Sequence, residues 1–301
     1  MKMGRLESDP NFLFIIGNPR SGTSLLRIMM TSHPNVTIPP ESGFVQWWYD
    51  KYKNWDESNA TDRKKIKEYL TDLRSSKKIE TWTLNFNELY SLIKRKKPAN
   101  YSELSKLVYI QYSKQKYNSE PPEFIGDKNN YYLHHLPLLD EIFPKAKYLH
   151  IVRDGRDVAC SYKKTQTLNT SSEYRPNLPT DISEIAEEWT KNNKKILEFF
   201  SSFKKDRSYL LKFENLIKHT KEELKEICKF LNLDFSPRML EYYKMNRKEN
   251  LEPEETLDWK KKTLDPPDPS VLKKYRQELN ESEIKEFEKI ANNLLRELGY
   301  G

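Results

Sequence analysis

Apolar and polar residues switch between two periods along this chain, and each switch marks an element. Residues 12–16, 148–152 and 209–213 are short apolar runs of the kind buried strands need. The first ends in Gly17-Asn18-Pro19-Arg20-Ser21-Gly22-Thr23-Ser24, and 25–31 then places apolar residues at helical spacing, so the order is strand, tight loop, helix. The second runs through Arg153-Asp154-Gly155-Arg156-Asp157 into a helix predicted over 158–164. After the third, Thr220 and Glu223 predict a capping box for a helix over 221–231. A further strand over 123–125 precedes Gly126-Asp127-Lys128.

Strands alternating with helices predict an α/β fold on a parallel sheet, with a P-loop-type nucleotide-binding core whose ligand lies beyond the carboxyl ends of the strands. The stretch from about 44 to 120 is different: Lys-rich, helical, and studded with Trp47, Trp48, Tyr49, Tyr52, Trp55 and Trp82. It predicts a helical insertion or cap on the acceptor side of a single domain spanning 1–301. Residues 166–180 are rich in Ser, Thr, Asn and Pro, and 252–269 holds Pro253, Pro266, Pro267 and Pro269; both predict irregular segments placed to lie over a ligand. The periodic stretch 281–298 predicts a terminal helix closed by Gly299.

Charged residues make up 32% of the 301 positions and the formal charge is +7, with Lys and Arg scattered through helical segments. That balance suits a solvated surface, and equally an anionic ligand; composition alone does not choose. Cys160 and Cys228 are the only cysteines, so neither a disulfide framework nor a Cys-based metal site is indicated. No apolar run approaches the ~20 residues of a membrane span, and 1–11 carries no signal-peptide core. The expectation is a cytoplasmic protein without a membrane span, a metal or a nucleic-acid partner, its oligomeric state open.

A glycine-bearing turn between a strand and a helix offers backbone N–H groups and the positive helix end to a phosphate. The loop nearly satisfies G-x-x-x-x-G-K-[ST], but Thr23 stands where a nucleoside-triphosphate enzyme needs its lysine. A 5′-phosphosulfate needs no such lysine; the hydroxyls of Ser21, Thr23 and Ser24, the backbone at Gly22 and the charge of Arg20 would meet it. The alternatives are a P-loop kinase and a non-catalytic nucleotide- or polyanion-binding protein.

The run from Pro19 to Ser24 resembles the 5′-phosphosulfate loop of sulfotransferases that use 3′-phosphoadenosine 5′-phosphosulfate (PAPS), and the run from Val152 to Ser161 resembles their 3′-phosphate segment. Further similarity runs through Phe213-Glu214-Asn215-Leu216 and 294–300, and is closest to tyrosylprotein-type and bacterial members. The resemblance implies transfer of a sulfuryl group from PAPS to a hydroxyl acceptor with release of PAP, and it gives Arg153 and Ser161 the 3′-phosphate. It implies Glu41, beyond the His33-Pro34 turn, as general base, although Pro39-Pro40-Glu41-Ser42 also reads as a helix start. A base working near neutrality needs a raised pKa, which an aromatic-rich pocket would supply. Lys128 and Arg20 are implied on the leaving group, and Lys274 on the nucleotide phosphates. His134 and His135 stand out of register with the catalytic histidine of the cytosolic enzymes and read as helix-face residues. The acceptor stays open among small molecules, glycans, lipids and tyrosine.

Overall fold

A computed structural model of the protein describes residues 9–117, 122–203 and 206–301, so the N-terminal 1–8 and the expected end of the helical stretch at 118–120 lie outside it. Five strands form one parallel sheet: β1 Asn11–Ile16, β2 Val36–Thr37, β3 Phe124–Lys128, β4 Lys147–Val152 and β5 Ser208–Lys212, in the order β2-β3-β1-β4-β5. β1 can occupy the centre because it is apolar on both faces. Phe12, Phe14 and Ile16 enter one cluster, while Leu13 and Ile15 enter the other.

From β1 the chain builds β2 and β3 on one side and then β4 and β5 on the other, and that reversal opens a crevice at the carboxyl ends. Register sets its walls: Ile15 lies opposite Lys128 and Ile16 opposite His150, so the segments following β1, β3 and β4 emerge together.

Helices Thr23–Thr31, Phe213–Lys218 and Thr220–Leu231 cover one face of the sheet, and Arg63–Arg74, Phe86–Lys96 and Tyr101–Tyr117 pack into the apolar cluster on the other. A third cluster joins Gly155–Gln166, Ile182–Ser201 and Glu281–Glu297. The tryptophans of the Lys-rich stretch serve mainly as packing: Trp55 and Trp82 are buried, Trp48 packs against the same cluster, and only Trp47 is exposed. That stretch also carries the charge. Between 44 and 117 there are 16 Lys and Arg against 9 Asp and Glu, an excess equal to the +7 of the whole chain. Among the described residues no helix is long and apolar enough to cross a membrane.

Three local expectations are corrected. β3 does not stop at 125 but runs to Lys128, because the polar Asp127 is satisfied inside the sheet by Tyr109 and Tyr132, each donating at 2.5 Å. Thr220 forms no capping box with Glu223; the preceding helix ends two residues before it, at Lys218, so the Thr220 hydroxyl donates back to the Leu216 carbonyl and Glu223 accepts from Tyr209. A true capping box sits instead at Asn280 and Glu283, opening the terminal helix. Residues 252–269 are a chain of single helical turns, Glu254–Thr256, Leu257–Lys260 and Lys261–Leu264 among them.

Candidate functional site

The loop after β1 is held open by geometry that only small residues permit. Gly22 sits at φ 98°, and a Cβ there would fall 2.4 Å from the Phe213 ring. Helix Thr23–Thr31 starts immediately after it with no acidic residue in its first turn, leaving unpaired N–H groups and the positive helix end facing the crevice. The Ser21 hydroxyl is buried without a partner, the Thr23 hydroxyl donates to Asn130 Oδ1 at 3.3 Å, and Ser24 is half-buried. Asn18 ties the loop back to the helices: its Nδ2 donates to the Tyr162 hydroxyl at 3.0 Å and its Oδ1 accepts from Asn192 at 2.8 Å.

Arg20 adopts φ 66°, a region uncommon for a residue with a side chain, and two contacts hold it there. Its Nε donates to Ser161 Oγ at 3.0 Å and its Nη2 to the Trp259 carbonyl at 2.6 Å. Burial, with Arg153 close by, lowers its pKa to about 10. Arg153 is 9% exposed; its Nη1 donates to the Arg20 carbonyl and its Nη2 to the Val271 carbonyl, both at 3.2 Å, over the Phe213 ring. Asp157 and Glu214 lie close enough to favour its charge, but neither nearby aspartate pairs with it directly. Asp154 pairs with Arg156 at 2.8 Å, and Asp157 accepts the backbone N–H groups of Lys273 and Tyr275. Two adjacent arginines, the Arg153 Nε buried without a partner, and a free Ser21 hydroxyl form an incomplete polar site that an anion would complete.

Lys274 is not drawn into this group. Its ammonium lies 3.3 Å from Glu278, and only the backbone on either side of it, at Lys273 and Tyr275, is anchored near the arginines.

Glu41 lies across the crevice, two residues ahead of the Gly43 N-cap, so it caps no helix. Its Oε1 accepts from Lys128, at the carboxyl end of β3, and stands 3.6 Å from Lys260; its Oε2 accepts from Lys78 at 2.9 Å. Burial pushes its pKa up, but Lys128, Lys260 and Lys78 together outweigh burial and hold it well below the usual carboxylate range. The expected upward shift is therefore corrected. The surroundings that decide the matter are cationic rather than aromatic. Lys128 itself, 1% exposed, is lowered to about 8 by burial, with Glu41 opposing.

Four further residues complete the site and were not singled out from the sequence. Glu252 accepts from Lys260 at 2.6 Å and from Arg27 at 2.7 Å, and Arg27 also donates to the Ile38 and Leu251 carbonyls. Lys78 approaches from the turn before Ile79–Trp82. Over this cluster a small pocket is lined by Pro40, Glu41, Lys78, Thr81, Tyr174 and Lys260, among others. Both irregular segments do close on it. Tyr174 donates to Glu80, and Ser172 donates to the Glu255 carbonyl at 2.5 Å, joining 166–180 to 252–269. His134 ends the turn Asn130–His134 and is exposed; His135 N-caps Leu136–Ile142; neither bonds to Glu41 or Lys128. No group of metal-ligating side chains occurs among the described residues.

Comparisons with known proteins find relatives of this chain. The model of the "Sulfotransferase family" matches residues 10–237. Protein-tyrosine sulfotransferase 1 of Danio rerio is 24% identical over 236 residues, 78% of this chain and 56% of that protein. The Drosophila melanogaster protein-tyrosine sulfotransferase is 24% identical over 241 residues, 79% of this chain and 41% of that one. The chain thus spans about half the length of the curated relatives it matches. A solved sulfotransferase domain from the curacin biosynthetic pathway has the same fold, with a TM-score of 0.58 at 21% identity over 97% of this chain and 98% of that domain.

Proposed function

The chain belongs to the sulfotransferase family, and from that premise we propose that it moves a sulfuryl group from PAPS to a hydroxyl acceptor, with Glu41 as general base. The observation that carries this reading is the direct pairing of Glu41 with Lys128 across the crevice from Arg20, a carboxylate and two cations poised for one transfer.

The residues fit the donor. Buried orphan atoms at Ser21 Oγ and Arg153 Nε, and a loop that a Cβ at Gly22 would fill, are what a phosphate-bearing ligand requires. The loop amides, the hydroxyls of Ser21, Thr23 and Ser24, and Arg20 would hold the 5′-phosphosulfate; Arg153 and Ser161 would hold the 3′-phosphate. When bound, PAPS supplies an activated sulfuryl group on a phosphate leaving group. Glu41 takes the proton of the acceptor hydroxyl, which must lose it as the oxygen attacks. Lys128 and Arg20 present fixed positive charge where the leaving oxygen gains negative charge. Residues 166–180 and 252–269 exclude water by closing over Glu41. The acceptor enters beside Lys78 and Tyr174, and a tyrosine side chain is the first candidate because the curated relatives are named for it.

The test is a thermal-shift comparison of PAP, adenosine 5′-phosphosulfate and ATP with Mg²⁺, followed by labelled PAPS against tyrosine peptides, phenols, glycans and lipids. PAP is expected to stabilise most, because a ligand that binds only the native state raises stability with its excess. Equal stabilisation by adenosine 5′-phosphosulfate, which lacks the 3′-phosphate, would overturn the role of Arg153; stronger stabilisation by ATP with Mg²⁺ would favour the kinase reading.

A further inference from the structure

A lysine on a surface keeps its ammonium in water, but one enclosed between two carboxylates has been desolvated and depends on them. Lys260 is such a residue. Its ammonium is 2.6 Å from Glu252 and 3.6 Å from Glu41 Oε1, and its side chain is 7% exposed. The following Lys261 and Lys262 are both exposed, so the burial is particular to this position.

Partners are distributed unevenly along the cluster. Glu252 has support besides Lys260: Arg27 at 2.7 Å and the Thr256 hydroxyl at 2.7 Å. Lys128 and Lys260 both address the same atom, Glu41 Oε1, Lys128 in contact and Lys260 next in line, while Lys78 holds Oε2. An anionic donor competes with this oxygen for the Lys128 ammonium and draws it towards the donor site. When it turns away, Oε1 loses its direct partner, and closing from 3.6 Å to hydrogen-bond distance needs a shift of only about 1 Å by Lys260. Glu252 can allow that shift because Arg27 and Thr256 remain. The same turn, Leu257–Lys260, is fastened to the donor loop through the Trp259 carbonyl and Arg20. The other charged groups near Glu41 are Arg20, Asp127 and Arg27 by way of Glu252.

We propose that Lys260 is a positioning residue for Glu41: it replaces Lys128 on Glu41 Oε1 when the donor site fills, keeping the carboxylate ionised and aimed at the acceptor. The proposal rests on the reading of Glu41 as base and adds a partner exchange to it.

The experiment uses the full chain with ¹³C-carboxyl glutamate and ¹⁵Nζ lysine, titrated by NMR free and saturated with PAP, with Glu41 assigned by its absence in Glu41→Gln. In wild type, PAP is expected to leave Glu41 ionised throughout the ordinary glutamate range and to move the Lys260 ¹⁵Nζ resonance. In Lys260→Met, Glu41 should titrate low in the free protein but at least tenfold more readily, about one pH unit higher, with PAP bound; Lys260→Arg should restore wild-type behaviour. Identical titrations of free and PAP-bound Lys260→Met overturn the proposal. A Lys260 resonance unmoved by PAP in wild type overturns it without recourse to any variant. Normal turnover of Glu41→Gln would instead overturn the base assignment, so the two failures are distinct.

Discussion

Replacing Glu41 with Gln removes the only carboxylate that Lys128 contacts among the described residues. Of the three lysines around it, Lys78 is 22% exposed and can turn to water, and Lys260 keeps Glu252, so the penalty falls on Lys128 at 1%. Removing one partner of a buried pair costs about 3 to 5 kcal/mol. The low end applies here because Lys128, lowered by burial to about 8 from 10.5, can shed its proton instead of staying charged. The expected loss is therefore about 3 kcal/mol at pH 7. Without Glu41 the folded variant releases the Lys128 proton at lower pH than the wild type, which releases it at about 8, so as pH rises towards 8 the variant gains stability relative to its unfolded chain before the wild type does. The gap between variant and wild type should narrow there. Adding Lys128→Met removes both charges and should bring stability back to within about 1 kcal/mol of wild type. Turnover should stay down by roughly two to four orders of magnitude in the single and double variants. Urea unfolding at pH 7 and pH 9 measures the cycle. A double variant no more stable than Glu41→Gln, or a gap that widens with pH, would show that this pair does not hold the cluster together.

Arg153→Ala should weaken PAP binding by about 2 to 4 kcal/mol while the fold survives, and calorimetry showing unchanged affinity would return Arg153 to a purely structural role. Gly22→Ala forces a Cβ into φ 98° and into the Phe213 ring, so it should cost more than about 1 kcal/mol and abolish the thermal shift given by PAP; a wild-type shift refutes the cradle. His150, in the sheet, is lowered by burial from 6.5 to about 3, so between those pH values the unfolded chain binds the extra proton and stability falls as pH falls. The slope should reach about 1.4 kcal/mol per pH unit, and His150→Leu should remove it in urea melts at pH 6 and 4.5; unchanged slopes would refute the assignment.

The two loops of the proposed donor site are legible because each is written in a short contiguous run. Pro19 to Ser24 and Val152 to Ser161 each place a loop and the following helix in one stretch, and the structure sets both at the same edge of the sheet. Glu41 and Lys128 were also reachable by register, and they meet. Lys260 and Glu252 were not. In Trp259-Lys260-Lys261-Lys262 nothing separates the buried lysine from its exposed neighbours, and the Glu252 that pairs with it is also held by Arg27, more than two hundred residues earlier. The direction of the Glu41 shift is illegible for the same reason: it depends on three lysines brought from distant parts of the chain. At Thr220 the local pattern was correct but a preceding turn had already claimed the hydroxyl.

The placement of charge in the helices between 44 and 117 has a consequence for encounter. Since the stretch 44–117 carries an excess equal to that of the whole chain, the remainder is formally neutral and the net positive charge is concentrated on the part of the molecule that this stretch builds. A negatively charged molecule approaching from solution is drawn towards one side before any contact forms. The attraction acts over roughly a Debye length, about 8 Å at physiological ionic strength, so added salt slows the approach of such a molecule far more than it loosens the enclosed contacts around Arg153.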